Sequence, residues 1–220
     1  MTSPAARSLT TNSRPIDFEE LVCRIAESNG GRQIVAIAGP PGSGKSTLAE
    51  RLVARLNESA EGSAALLPMD GYHYDDFILI ARGLRARKGA PESFDVLGLV
   101  HMLDRLQRNQ EDEIAVPVFD RDLEISRAGA RTIPRAVRAL VVEGNYLLLD
   151  QEPWSSLRAT FDMTVAVDAP EDILRQRLIE RWQGYGLPPP EIKAKVEGND
   201  LPNGRYVVSK SGPADFVLRS

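Results

Sequence analysis

Short apolar runs along the chain predict buried β-strands. The first run reads Ile-Val-Ala-Ile-Ala and ends at a glycine, which is typical of a strand covered on both faces. The predicted strands occupy residues 34–38, 64–67, 114–119, 139–142 and 163–167. Weaker patterns predict two late strands, at residues 207–208 and 216–218. The chain is therefore expected to fold around a β-sheet.

Apolar residues at helical spacing separate many of these runs. Phe18, Leu21 and Ile25 form one such stripe near the start of the chain. The same spacing predicts helices at residues 45–57, 97–106 and 172–181. Helices that alternate with strands favour an α/β fold with a mostly parallel sheet. We predict a single domain over residues 15–220, preceded by a flexible segment over residues 1–14.

The composition agrees with one soluble, cytoplasmic domain. The 220 residues are 42% hydrophobic and 26% charged, and 27 basic against 31 acidic residues give a net charge of −4. This acidic balance disfavours nucleic-acid binding, and no apolar stretch is long enough for membrane insertion. Residues 1–14 lack the apolar core of a secretory signal. Cys23 is the only cysteine, which excludes an internal disulfide and fits the reducing cytoplasm.

A glycine-rich segment between the first strand and the next helix carries the strongest chemical signal. It fits the pattern G-x-x-x-x-G-K-[ST] without a mismatch and comprises Gly39, Pro40, Pro41, Gly42, Ser43, Gly44, Lys45, Ser46 and Thr47. Glycines let successive backbone N–H groups turn toward an anion, and the helix that follows presents its positive end. The segment predicts binding of a nucleoside triphosphate together with Mg²⁺.

The polar side chains of this segment have expected roles. Lys45 is expected to reach the β- and γ-phosphates, the Ser46 hydroxyl to bind Mg²⁺, and Thr47 to donate to the α-phosphate. Glu143 follows an apolar strand and is a second candidate ligand for Mg²⁺. A carboxylate buried there without a cation would be unfavourable.

Three classes of protein share such a phosphate-binding loop: switch GTPases, remodelling ATPases and small-molecule kinases. The chain has no N-K-x-D segment for guanine, which argues against a GTPase. A motor would need more chain, and a motor that acts on nucleic acid would need a basic track. A small-molecule kinase fits the length, but it requires a base for the acceptor hydroxyl and a lid over the phosphates.

Asp70 is the candidate base. It follows the strand at residues 64–67, and ligands of parallel sheets bind beyond the carboxyl ends of the strands. Tyr72 and His73 stand beside it and suit a hydroxylated substrate. The alternative is that Asp70 only caps a turn before Gly71.

Residues 175–190 are the candidate lid. Arg177 and Arg181 are four residues apart and share one helix face, where they can clamp the transferred phosphate, whereas Arg175 points elsewhere. Glycine and proline interrupt the helical pattern over residues 184–190, as in a mobile flap. The alternative is an ordinary solvated helix face.

Several segments together resemble kinases of the phosphoribulokinase/uridine kinase superfamily. Residues 142–150 read Val-Glu-Gly-Asn-Tyr-Leu-Leu-Leu-Asp and are similar to the E-G-N-Y-L-L segment of these kinases. A bacterial branch, labelled fructose transport system kinase or nucleoside/nucleotide kinase, carries segments that are similar to residues 69–73, 87–95, 117–121 and 198–201. Residues 88–95 and 199–203 also resemble bacterial pantothenate kinases.

The resemblance implies a three-layer P-loop NTPase fold with a five-stranded, mostly parallel sheet and a helical lid. It also implies ATP-dependent transfer of phosphate to a hydroxyl of a small metabolite, with the base, metal and lid roles given above. Asp120, Arg121 and Asn145 are then expected in the acceptor pocket. Asn199 and Asn203 are expected near adenine.

The identity of the acceptor stays open at this stage. Arg87 and Lys88 belong to a basic patch over residues 82–88, which either faces the cleft and binds a phosphate or carboxylate of the acceptor, or is a solvated surface. A sugar such as fructose is one candidate, and a nucleoside or pantothenate is another. A non-catalytic ATP sensor that serves a transporter is the alternative of a different class. A homodimer is the default expectation, and the hairpin on which uridine kinases contact a base is not located in the sequence.

Overall fold

The fold is described from a computed structural model that covers residues 9–28 and 30–219. Over these ranges the strands are β1 (Arg14–Pro15), β2 (Gln33–Ala38), β3 (Ala64–Pro68), β4 (Glu113–Asp120), β5 (Ile125–Pro134), β6 (Ala139–Gly144), β7 (Met163–Asp168) and β8 (Phe216–Arg219). The α-helices are α1 (Phe18–Ala26), α2 (Lys45–Ser59), α3 (Asp76–Ala81), α4 (Val96–Arg108), α5 (Glu171–Gly184), α6 (Pro189–Lys195) and α7 (Leu201–Lys210). One π-helical turn, Val196–Asp200, joins α6 to α7.

Six strands form one parallel sheet in the order β1-β8-β7-β2-β6-β3, and β4 pairs with β5 in a separate antiparallel hairpin. The predicted α/β fold with a mostly parallel sheet is confirmed. The sheet has six strands where five were predicted, and the predicted strand at residues 114–119 lies in the hairpin. The short strand β1 and the late strand β8 complete the sheet at one edge.

Two parts of the fold differ from what the sequence pattern predicts. The hairpin is missed because most of β5 is exposed and shows no apolar alternation. The predicted strand at residues 207–208 is wrong, since Val207 is a buried residue of α7. Two adjacent valines do not distinguish a strand from the inner face of a helix.

Helices cover both faces of the parallel sheet, which gives the predicted three layers. Successive residues of β2 point to opposite sides: Val35 and Ile37 pack in the core beneath α1 and α2. Ile34 and Ala36 pack in the other core, beneath α4 and the 3₁₀ segment Trp154–Thr160. The strand that leads into the glycine-rich loop is thus buried on both faces.

The packed part of the chain begins before Pro15. Leu9 is buried, its N–H donates to the Val208 carbonyl at 3.4 Å, and its carbonyl accepts from Ala214 N–H at 3.1 Å. The predicted flexible segment over residues 1–14 is therefore too long, because residues 9–14 already belong to the fold. Residues 1–8 lie outside the described residues.

The helices that follow β7 enclose a small core of their own. Its buried members are Ala169, Leu174, Leu178, Ile192, Val196 and Leu201. The helix predicted at residues 172–181 is confirmed within α5, and the predicted break is shorter because α6 begins at Pro189. In the described ranges, no helix is both long and apolar enough to cross a bilayer.

Candidate active site

The glycine-rich loop joins β2 to α2 at the carboxyl edge of the sheet. Gly42 and Gly44 have φ angles of 81° and 86°, in the left-handed region that favours glycine. A Cβ on Gly39 would lie 2.6 Å from the Val167 carbonyl oxygen, so the loop passes too close to β7 for a side chain there. Helix α2 begins at Lys45, as predicted, and its glycine N-cap has no side chain to occupy the first N–H groups. These groups can bind an anion in the loop.

Lys45 and Glu143 bring opposite charges together beside the loop. Strand β6 pairs with β2 so that Glu143 is opposite Ile37, and the two charged residues are only 7% (Glu143) and 8% (Lys45) exposed. The Ser46 hydroxyl donates to Oε2 of Glu143 at 3.3 Å. Burial raises the pKa of Glu143 although Lys45 opposes this, and burial lowers the pKa of Lys45 although the carboxylates of Glu143 and Asp70 oppose this.

The oxygen atoms of Ser46 and Glu143 fit Mg²⁺. A buried carboxylate next to a hydroxyl is a suitable donor pair for this hard cation, which keeps water and phosphate oxygens as its other ligands. In the described part of the chain, no group of three His, Cys, Asp or Glu side chains is placed to hold a metal. A site completed by nucleotide phosphates is consistent with that. Thr47 is exposed in the first turn of α2.

Asp70 lies at the same edge of the sheet as Glu143. Pro68, the last residue of β3, is opposite Glu143, and the Met69 side chain packs where a Cβ of Gly144 would be. Burial opposes ionisation of Asp70, but His73, Arg121 and Lys45 outweigh it, and the pKa of the carboxyl lies below its usual value. The carboxylate is therefore charged and near the glycine-rich loop.

The β4–β5 hairpin covers Asp70. A Cβ on Gly71 would lie 2.6 Å from the Pro117 carbonyl oxygen, which shows how closely β4 approaches. Arg121 follows β4, and its Nη2 donates to Oδ2 of Asp70 at 2.6 Å. Asp120 instead shapes the hairpin turn, since its carboxylate accepts from Leu123 N–H at 3.1 Å and from Nη1 of Arg127, also at 3.1 Å.

Aromatic side chains hold the segment around Asp70. The His73 ring lies between Phe94 and Phe119, with centroid distances of 4.0 and 4.8 Å, and its Nδ1 is 2.8 Å from the Asp70 carbonyl oxygen. Burial lowers the pKa of His73.

The Tyr72 hydroxyl and Oδ1 of Asn145 are buried without a hydrogen-bond partner among the described residues.

In the basic patch, Arg85, Arg87 and Lys88 pair with neighbouring carboxylates, and Arg82 lies over the Tyr74 ring. Arg87 Nε is 2.5 Å from Oε1 of Glu92, and Lys88 Nζ is 2.8 Å from Oδ1 of Asp76. Lys88 also donates to the carbonyl of Glu124 in the hairpin turn. The charges of Arg87 and Lys88 are thus both paired with carboxylates of the protein.

The candidate lid lies directly on the glycine-rich loop. Leu174 and Leu178 of α5 pack against Gly42, and Arg177 Nη1 lies 3.4 Å from the Gly42 carbonyl oxygen. Arg181 is within electrostatic range of Lys45. Arg175 points to the other side, as predicted, and its partners there are Glu171 and Glu197.

The start of α7 also adjoins the loop. Gly204 packs so closely against the loop that a Cβ on it would lie 3.4 Å from Pro40 Cβ. Asn203 is buried, and its Nδ2 donates to Oδ1 of Asn199 at 3.2 Å. Asn203 thus precedes the residue of α7 that contacts the loop, Asn199 lies near Gly89, and the contact of the two asparagines with adenine stays a prediction.

Tyr146 lies next to the candidate site, and the sequence assigns it no separate role. It is fully buried, and its hydroxyl donates to the Gly89 carbonyl at 2.7 Å. Gly89 has a φ of 96° and lies near Asn199, so this bond fixes the loop between the acceptor side and the lid. In the sequence Tyr146 belongs to the E-G-N-Y-L-L segment, but nothing there indicates a hydrogen-bond partner 57 residues away.

The profile of the Phosphoribulokinase / Uridine kinase family matches residues 34–185. The Escherichia coli (strain K12) protein YggC is 36% identical over 188 residues, which cover 85% of this chain and 77% of that protein. A Schizosaccharomyces pombe (strain 972 / ATCC 24843) protein, provisionally named a uridine kinase, is 32% identical over 212 residues, covering 92% and 90%. A pantothenate kinase of Streptococcus pneumoniae (strain Hungary19A-6) is 28% identical over 158 residues, and the match spans about half of that enzyme (51%).

A solved structure supports the same grouping. The crystal structure of a Silicibacter sp. TM1040 protein, provisionally named a fructose transport system kinase, aligns with a TM-score of 0.84 and 38% identity. The alignment covers 92% of this chain and 99% of the other. The resemblance that the sequence segments carry is therefore confirmed over nearly the whole fold.

Proposed function

The chain is a kinase of the phosphoribulokinase/uridine kinase family, and from that premise we propose that it transfers the γ-phosphoryl group of ATP to a hydroxyl of a small metabolite. The observation that carries the proposal is the position of Asp70. Its carboxylate shares one charge cluster with Lys45 and Glu143, beside the glycine-rich loop. A base and a phosphate-binding lysine at one edge of a sheet are what phosphoryl transfer to a hydroxyl requires.

In the proposed reaction the acceptor oxygen forms a bond to the γ-phosphorus as the bond between that phosphorus and the ADP oxygen breaks. The hydroxyl proton passes to the Asp70 carboxylate. Lys45 and the N–H groups of the loop bind the phosphates, and Arg177 and Arg181 neutralise charge on the transferred group. When bound by Ser46 and Glu143, Mg²⁺ supplies further neutralisation of phosphate charge.

The helices after β7 would exclude water from this reaction. Leu174 and Leu178 already contact the loop. This contact supports the proposal that Arg177 and Arg181 reach the phosphates without a large movement of the helices. Exclusion of water favours transfer to the acceptor over hydrolysis of ATP. Tyr72, His73 and Asn145 are the residues that we assign to the acceptor side.

The names of the relatives offer candidates for the acceptor. A sugar such as fructose, a nucleoside such as uridine, and pantothenate are each suggested by the name of at least one relative or structural neighbour. We propose a small polar metabolite with a free hydroxyl as the class that these share. A cytoplasmic location and a homodimer stay predictions.

The test is acceptor-dependent release of ADP from ATP and Mg²⁺, measured over a panel of sugars, sugar phosphates, nucleosides, pantothenate and glycerate. Asp70→Asn is expected to lower turnover by about 100-fold or more, because the base is lost, while ATP binding persists. Asp104→Asn, which changes an exposed carboxylate on α4, is the matched control and should act like the wild type.

Full turnover by Asp70→Asn would refute the assignment of the base. Tight ATP binding without acceptor-dependent ADP release over the whole panel would instead favour the non-catalytic sensor that serves a transporter. The two results are distinct, since the first requires an active protein.

A further inference from the structure

Several arginine and lysine side chains lie on the proposed acceptor side, and they differ in their carboxylate partners. Four of them are held by carboxylates that take no part in the proposed transfer: Arg85 and Lys88 by Asp76, Arg87 by Glu92, and Arg127 by Asp120. The distances between their nitrogen and oxygen atoms are 2.6, 2.8, 2.5 and 3.1 Å. These cations can stay paired throughout the reaction.

Arg121 differs because its carboxylate partner is the proposed base. Its Nη2 is 2.6 Å from Oδ2 of Asp70, and the Arg121 side chain is 51% exposed against 24% for Asp70. The guanidinium is therefore the more exposed member of the pair. The bond occupies one of the two carboxylate oxygens, and the adjacent positive charge makes the whole carboxylate a weaker acceptor for a hydroxyl proton.

The energetics of the pair indicate what could displace it. A neutral hydroxyl is a weak competitor for a guanidinium, because the alternative partner is a carboxylate. A phosphate or carboxylate can compete, since it carries charge and matches the planar N–H fork of arginine with two oxygens. Arg121 is exposed enough to reach such a group while it remains anchored on the hairpin.

We propose that the acceptor carries an anionic group, a phosphate or a carboxylate, that takes over Arg121 and thereby frees Asp70 to receive the hydroxyl proton. This rests on the proposed function, and it narrows the acceptor to a hydroxylated anion. Arg121 is then a specificity-determining residue, whereas Arg85, Arg87 and Lys88 keep their carboxylate partners. Binding of the correct acceptor and exposure of the base become one event.

Matched acceptor pairs test the proposal: fructose against fructose 6-phosphate for phosphate, and glycerol against glycerate for carboxylate. For the wild type, kcat/KM with the anionic member of at least one pair should exceed that with the neutral member by about 10- to 100-fold. Which pair shows the difference identifies the anion.

Arg121→Gln should remove this preference. Its kcat/KM for the anionic acceptor should fall by about 10- to 100-fold, while that for the neutral member should stay the same or rise, because the base is no longer paired. Arg85→Gln removes the same charge from an arginine of equal exposure, 51%, and should keep the wild-type preference. Arg121→Lys should restore only part of it, since lysine has no planar fork.

Equal kcat/KM for both members of each pair in the wild type would overturn the proposal, as would an equal loss on both in Arg121→Gln. If no acceptor is phosphorylated at all, the proposed function fails on this panel, and a binding measurement still decides the inference. Titration of the ADP- and Mg²⁺-saturated protein with inorganic phosphate should show binding that Arg121→Gln weakens about tenfold or more and Arg85→Gln does not. Identical phosphate binding by wild type and Arg121→Gln would refute the role of Arg121.

Discussion

At the scale of single residues, Glu143 and Ser46 form the pair that we propose as the Mg²⁺ ligands next to the phosphates. Glu143 is buried at the end of β6, where its carboxylate has Lys45 and the Ser46 hydroxyl as neighbours. A carboxylate in this position stabilises Lys45 in its charged form and leaves oxygen atoms for a metal. In the proposed site, one residue would thus serve both the loop and Mg²⁺.

Glu143→Gln is therefore expected to raise the Mg²⁺ concentration for half-maximal ADP release by about 10- to 100-fold, since a neutral amide is a weaker ligand than a carboxylate. Turnover at saturating ATP should be measured over a series of Mg²⁺ concentrations. Glu50→Gln changes an exposed glutamate of α2 and should follow the wild-type curve. An unchanged Mg²⁺ dependence of Glu143→Gln would exclude Glu143 as a metal ligand.

At the scale of elements, a network of charges joins α5, the π-helical turn and α7. The Glu171 carboxylate, in the first turn of α5, accepts from Arg205 of α7 at 2.7 and 2.8 Å and from Arg175 at 3.1 Å. Arg175 also pairs with Glu197 in the π-helical turn. The contacts with Arg205 and Arg175 lower the pKa of Glu171 to about 2 from 4.5.

The pKa of Glu171 sets the pH range in which this network acts. Because the pKa is lower in the folded state than in the unfolded state, the stabilisation is complete above about pH 4.5 and is lost as the pH falls toward 2. The difference in Tm between wild type and Glu171→Gln should therefore be largest above pH 4.5 and should shrink below it. Thermal unfolding at a series of pH values measures this.

High salt should also reduce the Tm difference, because the network is exposed. Glu50→Gln is again the control, and its Tm should track the wild type across the series. A Tm difference for Glu171→Gln that is constant from pH 7 to pH 3 would show that the network does not depend on the Glu171 charge.

The elements also show what the sequence can and cannot reveal. The glycine-rich loop is predictable to the residue because its motif is local, and Asp70 and Glu143 are predictable because parallel strands end at one edge. The hairpin is not, since β5 is polar and exposed. The Arg121–Asp70 contact joins residues 51 positions apart and depends on that hairpin, so no periodicity points to it.

At the scale of the whole molecule, Arg32 joins parts of the chain that are distant in sequence. It is buried just before β2, and its guanidinium donates to the carbonyls of Leu106, Pro134 and Val137 at 2.9, 2.7 and 3.0 Å. The end of α4 and the connection from the hairpin to β6 therefore meet at one side chain. Three backbone carbonyl oxygens thus solvate its positive charge.

Arg32→Met should lower the free energy of unfolding by about 3–5 kcal/mol, because it leaves buried carbonyls without these donors. Urea denaturation followed by circular dichroism measures the change. Arg108→Met removes an exposed arginine that pairs with Asp104 on the same helix, and it should cost about 0.5 kcal/mol or less. Equal losses in the two variants would show that burial of Arg32 adds nothing.

The connectivity of the fold has a consequence for how such kinases diverge. Helices α5, α6 and α7 lie between β7 and β8, which are neighbouring strands of the sheet. The hairpin is a second excursion, between α4 and β6. Both excursions are thus attached to the sheet at their two ends. Either excursion can therefore become longer, shorter or be replaced without a change in the strand order of the sheet. Such a change leaves the glycine-rich loop intact, so related kinases can differ in their acceptor while they keep the same phosphate-binding loop.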